Sequence, residues 1–379
     1  MVPQNKSTAK THPSRGMSIL FTITATLLVL LIVEIGLRVA GFEYHNIPRY
    51  IQFADDKYKY PERHKGQYDF IPDDHLFWRL RANNPALQTN GHGYRGGEFT
   101  TDKPEGTTRI IALGGSCTFG LRAAFSYTTA LQQFLNKNDS GLKYEVINTG
   151  VPGYSSFQGL RLYETELTNL KPDIITVYFG WNDHWLARHF QDKDQILPSK
   201  STQFILDTAS KVRILQALLR LSVSIRKAAG SEAKSPLHRV EREDYRQNLE
   251  RIIACAKRRG TQVVLITAPA AYAQWTDVPD NLVNDGFIID KASLLKIHSE
   301  YNHVVREVAR NTGNLLVDCA AIFDNIPDKS SLFGKDGIHP NAPGHVEIGK
   351  QIFMGFARGG FININDYALE DDAAGIPTE

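Results

Sequence analysis

The sequence predicts an α/β fold, with three α/β/α layers around a parallel sheet of about five strands, preceded by one N-terminal transmembrane helix. Short runs rich in Ile and Val alternate with longer helix-like stretches, as in βαβ units. The short runs have few polar interruptions, which is typical of strands covered on both faces. With 379 residues, of which 42% are hydrophobic and 22% charged, the chain can bury a large core.

The N-terminal segment has the composition of a membrane span. Residues 17–33 are uncharged and mostly apolar, and the apolar character continues around Glu34 and Arg38. These two charges stand four residues apart and can pair on one helix face. No small-residue cleavage site follows the run, which favours an uncleaved anchor over a signal peptide. Lys and Arg are balanced on the two sides, so the charges leave the orientation open.

The rest of the chain divides into a strand–helix domain and three less regular segments. Strands are predicted at 109–113, 144–148, 174–179, 262–267 and 314–318, and helices near 123–136, 157–169, 241–259, 292–311 and 343–356. An insertion at 186–240 contains an amphipathic helix over 211–227, whose apolar stripe is expected to pack on the domain; a position on a membrane surface is the alternative. The predicted organisation is a cytoplasmic tail (1–16), a transmembrane anchor (17–41), a stalk or small cap (42–108), the main domain (109–357) and an acidic, disordered tail (358–379).

Charge and cysteine content exclude several functional classes. The formal net charge is +2, so no nucleic-acid partner is expected. Cys117, Cys255 and Cys319 show no metal-type spacing, and their odd number argues against a disulfide scaffold. A Cys255–Cys319 bond stays open for an exported protein. No histidine spacing suggests a metal, and neither a metal nor a cofactor is expected.

Polar residues that can carry chemistry follow four of the predicted strands, where open α/β sheets bind ligands. Ser116 follows two glycines after the first strand, at a point where free backbone N–H groups can stabilise an anion. Gly153 and Asn182 follow the second and third strands and can offer a backbone N–H and a side-chain amide. Asp336 and His339 follow the last strand, three residues apart, so that the carboxylate can orient the imidazole.

In order and placement these segments resemble the four sequence blocks of the SGNH/GDSL hydrolase superfamily. The resemblance covers about residues 109–357 and lies in segments 114–116, 148–153, 180–183 and 336–339. Gly115 stands where the motif that names the family has Asp, a position outside the four catalytic groups. The resemblance implies a flavodoxin-like sheet and a membrane-anchored bacterial protein, whose catalytic domain lies outside the cytoplasm at the inner membrane.

The resemblance also implies roles for individual residues. Ser116 would attack an acyl carbonyl, His339 would accept and return its proton, and Asp336 would orient the imidazole. The backbone N–H groups of Ser116 and Gly153, with the Asn182 side chain, would form the oxyanion hole. Four ring side chains are candidates for contacting a sugar face or an acyl chain, with ordinary packing as the alternative: Tyr154, Trp181, His184 and Trp185.

The predicted function is a serine esterase or acyl hydrolase that acts on an ester-linked acyl group of a glycan or lipid, through an acyl-serine intermediate. An α/β-hydrolase is disfavoured because Ser116 lacks the G-x-S-x-G context, and nothing favours a Cys117–His339 thiol hydrolase. An O-acyltransferase that modifies an exported polysaccharide stays open. A catalytically silent glycan-binding module is also open, although the presence of all five polar residues speaks against it. The expected partners are the membrane and an acylated carbohydrate or lipid.

Overall fold

A computed structural model describes residues 15–44, 69–138, 141–187, 190–195, 211–228 and 237–367. These residues fall into two compact units. The smaller unit contains the N-terminal helix and the helix of the insertion. The larger unit contains the sheet, the remaining helices and all the candidate site residues.

Two sheets are present among the described residues, a hairpin and a five-stranded sheet. The strands are β1 Phe70–Asp73, β2 Phe77–Leu80, β3 Thr107–Gly114, β4 Lys143–Asn148, β5 Ile174–Tyr178, β6 Gln262–Ile266 and β7 Leu315–Val317. β1 and β2 pair antiparallel, whereas β3 to β7 pair parallel in the order β4-β3-β5-β6-β7. All residues of β5 are buried, as expected of a strand between two helical layers.

Helices cover both faces of this sheet. The helices of the larger unit are α2 Ser116–Phe119, α3 Tyr127–Leu135, α4 Ser156–Thr165, α6 Arg242–Lys257, α7 Asp280–Asn284, α8 Lys291–Thr312, α9 Cys319–Asp324 and α10 Ala342–Arg358, and the smaller unit contains α1 Arg15–Val39 and α5 Arg213–Ala228. α3 packs against α10, while α6 packs against both α4 and α8. The predicted three-layer α/β/α fold is confirmed, with each predicted strand placed within two residues and each domain helix within four.

The strand order positions the candidate site. Counted along the domain, the order is 2-1-3-4-5, the flavodoxin-like arrangement in which the topology switches between the first and third strands. Here those strands are β3 and β5, which pair from Ile110 and Ile174 to Gly114 and Tyr178. A crevice outside their carboxyl ends is the expected ligand site of such a sheet.

The region predicted as a stalk or cap contains a hairpin that belongs to the larger unit. Trp78 of β2 is fully buried, and its indole N–H donates to the carbonyl oxygen of Pro152 at 3.2 Å. The hydroxyl of Tyr154 donates back to the carbonyl oxygen of Trp78. The hairpin therefore braces the turn after β4. Its four-residue strands are too short to give a periodic signal, which is why the sequence analysis did not find them; residues 45–68 lie outside the described residues.

The folded domain also extends beyond the predicted boundary at residue 357. Ile362 and Tyr367 are 7% exposed each, and the ring of Tyr367 packs edge-on against that of Phe353, with centroids 4.9 Å apart. Residues 359–367 were assigned to a disordered tail and instead pack on the core, because they return two apolar side chains to α10. The acidic stretch at 370–372 lies outside the described residues.

The N-terminal helix is longer than the apolar run that predicted it. α1 has 25 residues, none of them buried, and its most apolar window has a mean hydropathy of 2.5. Among the described residues it is the one helix long and apolar enough to cross a membrane. Length and composition of this kind fit a membrane span and a signal sequence alike.

Candidate active site

Ser116 is the first residue of the one-turn helix α2 and is separated from the end of β3 by Gly115 alone. The tight turn depends on the glycine that ends the strand, because a Cβ on Gly114 would overlap the side chain of Thr118. Ser116 is 7% exposed. The turn therefore holds a nearly buried hydroxyl at the carboxyl end of the sheet.

Asp336 and His339 occupy a loop between β7 and α10 that is shaped around the carboxylate. Oδ1 of Asp336 accepts the backbone N–H groups of Ile338 and His339, both at 3.0 Å, while Oδ2 lies 2.8 Å from Nδ1 of His339. Gly337 has φ of +67°, and a Cβ there would overlap the Tyr272 ring. Burial raises the pKa of Asp336, but the hydrogen bonds and charge of His339 and the two N–H groups outweigh it and hold the pKa well below its usual range.

The two loops meet although 223 positions separate them in the chain. The Ser116 Oγ lies 2.8 Å from Nε2 of His339. When Nδ1 carries the proton that Asp336 accepts, Nε2 is left to accept the serine proton. The three side chains thus form a continuous hydrogen-bonded chain, the arrangement that activates a serine nucleophile by a general base.

Arg122 contacts this group of three hydrogen-bonded side chains and was not identified from the sequence. Its guanidinium pairs with Oδ2 of Asp336, the same oxygen that faces His339. The residue adopts a left-handed backbone conformation, with φ of +67°. It stands in an irregular loop after α2 that has no recognisable motif, so no sequence signal identified it.

The Asn182 side chain lies beside the serine turn, at the end of β5. Its Nδ2 donates to the carbonyl oxygen of Tyr154 at 2.9 Å. A Cβ on Gly115 would stand 2.7 Å from that nitrogen, so the amide approaches the backbone at a position where most residues would collide with it. Ser116, Tyr154 and Asn182 line the same small recess.

The backbone of Gly153 is held by a buried ion pair. Gly153 has φ of +84°, and its carbonyl oxygen accepts a hydrogen bond from Nη1 of Arg239 at 2.8 Å. The same guanidinium contacts Asp192 at 2.9 Å, and neither side chain has any exposed surface. Ser155 donates its hydroxyl to Asp192 at 2.5 Å. Both charged residues belong to the predicted insertion and carry no motif, so sequence analysis missed them.

Asp183 joins the loops that follow β4 and β5. Its Oδ1 accepts the backbone N–H of Ser156 at 2.8 Å, and its Oδ2 accepts that of Gly180 at 3.0 Å. Burial raises the pKa of this carboxyl group to about 6, against the opposing effect of these hydrogen bonds. The Asp183 carboxylate therefore connects the loop that contains Gly153 to the loop that contains Asn182.

The four ring side chains proposed for substrate contact are buried. Tyr154 and Trp181 line the recess, but they are only 1% and 4% exposed. His184 and Trp185 do not reach the recess. They point into the core, where Nε2 of His184 lies 3.1 Å from Nδ1 of His298 and the ring of His298 stacks on Trp181 at 3.9 Å. Substrate contact by His184 and Trp185 stays a prediction, and their burial, with 1% and 6% of their surface exposed, favours the alternative of ordinary packing.

This imidazole cluster predicts an acid-sensitive fold. Burial lowers the pKa of His298 to about 4, below the ordinary value of about 6.5 in an unfolded chain. Between these pH values the unfolded state binds more protons, so the free energy of unfolding falls as the pH falls. We expect His298 to account for about 2 kcal/mol of loss between pH 7 and pH 5.

Urea unfolding of the wild type and of His298→Gln at both pH values measures this contribution. The variant keeps an amide donor for the carbonyl oxygen of Ala268, which His298 Nε2 contacts at 2.8 Å. It should lose less stability on acidification than the wild type. Protonation of Asp183 changes the free energy of unfolding in the opposite direction. Both proteins contain Asp183, so its contribution cancels in the comparison. Equal losses in the two proteins would contradict the prediction.

The cysteines do not offer a competing nucleophile. Burial raises the pKa of the Cys117 thiol to about 12, so the thiolate that a thiol hydrolase needs is strongly disfavoured. Cys255 and Cys319 are buried free thiols and form no disulfide. Across the part of the chain that the structure describes, no group of three or more His, Cys, Asp or Glu side chains is arranged to hold a metal ion.

Comparison with known proteins places the chain in a family. A lipase/acylhydrolase from Enterococcus faecalis is 20% identical, with a TM-score of 0.44 over 66% of this chain and 96% of its own. An acetylxylan esterase, Axe2, from Geobacillus stearothermophilus is 17% identical, with a TM-score of 0.43 over 69% of this chain and 97% of its own. No curated protein sequence gives a significant match. The model of the GDSL-like lipase/acylhydrolase family matches residues 112–346, more than half of the chain, and the protein belongs to this family.

Proposed function

We propose that the protein is a serine esterase that cleaves an ester-linked acyl group from a glycan or lipid through an acyl-serine intermediate. The observation that carries the proposal is the hydrogen-bonded chain from Ser116 through His339 to Asp336. Its geometry already has the nucleophile and the base at 2.8 Å, within the range needed for proton transfer. Asp336 is ionised at neutral pH because its pKa is low, and it can stabilise the imidazolium as that charge forms.

The reaction proceeds in two halves. In the first, Ser116 Oγ bonds to the acyl carbon while His339 Nε2 takes the serine proton. The tetrahedral intermediate then expels the alkoxide, which receives that proton, and the acyl-serine remains. In the second half His339 takes a proton from water as the hydroxide attacks the acyl carbon. The second tetrahedral intermediate then breaks its bond to Ser116 Oγ, which receives that proton from His339, and the carboxylic acid is released. Charge develops on the former carbonyl oxygen in both halves. The N–H groups of Ser116 and Gly153 and the Asn182 amide are proposed to stabilise it.

Hydrolysis of p-nitrophenyl acetate by the full-length protein in detergent tests this function directly. Release of p-nitrophenol, with an acetyl group trapped on Ser116 and located by mass spectrometry, is the expected result. Adding an oligosaccharide acceptor separates an esterase from an O-acyltransferase, because the transferase would yield acylated sugar in place of free acid. Binding of the sugar without turnover of any ester would contradict an enzymatic function.

Replacing Asn182 by alanine is expected to lower kcat by about 10²-fold, since one donor to the developing oxyanion is lost. KM should change little, because the substrate carbonyl carries less charge in the ground state. Steady-state kinetics of ester hydrolysis separate the two parameters. Asn182→Asp serves as a matched variant of equal size, and it should be at least as impaired because a carboxylate repels the oxyanion. A higher KM with unchanged kcat would assign Asn182 to substrate binding instead.

We also propose that α1 anchors the protein in the bacterial inner membrane by a single span, with the catalytic domain outside the cytoplasm. α1 has the length and hydropathy of a span. Its Glu34 accepts hydrogen bonds from α5 and its Arg38 donates one to Lys211, just before α5, and a signal peptide removed after export could not keep these contacts. The orientation follows the family resemblance. Recovery of full-mass protein in the membrane fraction is expected, whereas soluble protein lacking the segment before Phe42 would refute the anchor.

A further inference from the structure

The helix of the insertion, α5, has an apolar face that the described residues of its own unit do not cover. Four large side chains of this face are between 44% and 58% exposed: Leu215, Leu218, Leu221 and Ile225. Their spacing places them on one side of the helix. Packing of this stripe on the main domain stays a prediction, and the exposure of the stripe within the smaller unit favours the alternative, a position on a membrane surface. An exposed apolar face of this kind marks an interaction surface.

α5 begins at the carboxyl end of α1. The Glu34 carboxylate accepts the backbone N–H groups of Arg213 and Ile214, one on each oxygen and both at 3.0 Å. It therefore satisfies free N–H groups at the first turn of α5. Arg38, which also pairs with Glu34, donates to the carbonyl oxygen of Lys211 at 3.0 Å. The two charges at the end of the apolar helix thus join it to α5.

The opposite side of α5 contacts the chain that follows α1. Oε1 of Gln216, which is 2% exposed, accepts the backbone N–H of Tyr44 at 3.0 Å. Arg213 pairs with Glu43, and the guanidinium of Arg220 lies 5.8 Å from the centre of the Phe42 ring. These contacts engage the polar side of α5 and leave the apolar face without cover.

We propose that α5 lies along the membrane surface, with its apolar face inserted among the lipids next to the point where α1 leaves the bilayer. This inference rests on the proposed anchoring by α1. The uncharged run 17–33 spans about 25 Å at 1.5 Å per residue, so Glu34 falls near the edge of a hydrocarbon core of about 30 Å. The junction at Glu34 therefore places the start of α5 at the level where interfacial helices bind.

A lipid surface is the occupant that fits the apolar face, because α5 begins next to the end of α1, the helix proposed to span the bilayer. The charges of α5 fit anionic headgroups, since the sequence from 211 to 228 contains five basic residues and no acidic one: Lys211, Arg213, Arg220, Arg226 and Lys227. Long basic side chains can extend to the headgroups from a helix whose other face is buried in lipid. The protein would thus be attached to the membrane by α1, which spans the bilayer, and by α5, which lies on its surface.

Fluorescence of labelled single-cysteine variants tests this arrangement in the full-length protein. Leu218→Cys and Ile225→Cys place an environment-sensitive NBD label on the apolar face. Ser224→Cys is the matched control, because Ser224 is exposed and lies about 100° around the helix from Ile225. Leu27→Cys, at a position 62% exposed on α1, reports the anchor itself. The three native cysteines are buried, so labelling is directed to the introduced thiols.

The labelled proteins are reconstituted into vesicles of phosphatidylcholine and phosphatidylglycerol, with and without a nitroxide-labelled phospholipid. We expect the nitroxide to cause a loss of emission at 218 and 225 and at 27, but a much smaller loss at 224. A loss at 27 with none at 218 and 225 would overturn the surface helix and leave the anchor intact. Equal loss at 218 and 224 would also overturn it, since the helix would then have no lipid-facing side. No loss at any position would overturn both the anchor and the surface helix.

Discussion

Ser116→Ala is expected to lower kcat for ester hydrolysis by about 10⁴-fold or more. The serine oxygen forms the covalent bond of the proposed intermediate, and among the described residues it is the nucleophile hydrogen-bonded to His339 Nε2, at 2.8 Å. Removing a member of such a chain leaves only the rate increase that the oxyanion donors and binding supply. KM should stay within a few-fold of the wild type. Steady-state hydrolysis of p-nitrophenyl acetate measures both parameters.

The double variant makes this prediction sharper. His339→Ala should be as inactive as Ser116→Ala, and the combination no worse than either, because the two residues act as one unit. Cys117→Ala is the matched control at the neighbouring position, where the buried thiol has a pKa near 12. It should keep most of the activity. Loss of activity in Cys117→Ala with retention in Ser116→Ala would transfer the nucleophile to the thiol and contradict the proposed function.

The main features of the fold could be predicted because each strand of the sheet has its own local signal. β5, for example, reads Ile-Ile-Thr-Val-Tyr and is buried throughout. Such runs specify strands, and their alternation with helices specifies a parallel sheet. Once the strands were placed, the geometry of parallel sheets brought Ser116, Asn182 and His339 to one edge. The hydrogen bond between residues 116 and 339 was expected from topology and from the family resemblance.

Features that depend on tertiary contacts could not be predicted in this way. Nothing near Arg122 indicates that its guanidinium reaches Asp336, 214 positions away. Trp181 and Trp185 follow the end of a strand, where an exposed and a buried aromatic residue give the same sequence pattern. Tertiary packing alone determines that both side chains are buried. The hairpin at 70–80 could not be recognised because Pro72 interrupts the strand pattern. In addition, nothing in the sequence indicates the left-handed backbone of Phe77.

The ion pair between Arg239 and Asp192 is the clearest case of a contact without a sequence signal, and its loss is expected to be costly. Both side chains are fully buried. Arg239 contacts Asp192 at 2.9 Å and the carbonyl oxygen of Gly153 at 2.8 Å. Removing the guanidinium would leave the Asp192 carboxylate buried and without its counter-charge, which typically costs about 3–5 kcal/mol. It would also release the carbonyl group of Gly153, the residue whose backbone N–H is a proposed oxyanion donor.

Arg239→Met is therefore expected to lower the free energy of unfolding in urea by about 3–5 kcal/mol and to reduce kcat more than it raises KM. Arg251→Met provides the matched control, since Arg251 is 61% exposed and pairs with Glu164 at 3.0 Å. An exposed pair of this kind contributes less than about 1 kcal/mol.

The double variant Arg239→Met/Asp192→Leu should be more stable than Arg239→Met alone, because it removes the buried carboxylate that has lost its counter-charge. If the double variant is the less stable of the two, the cost arises from lost packing and not from an uncompensated charge. Stability restored in the double variant without recovery of kcat would separate the two roles, since Gly153 would still lack the donor that fixes its carbonyl.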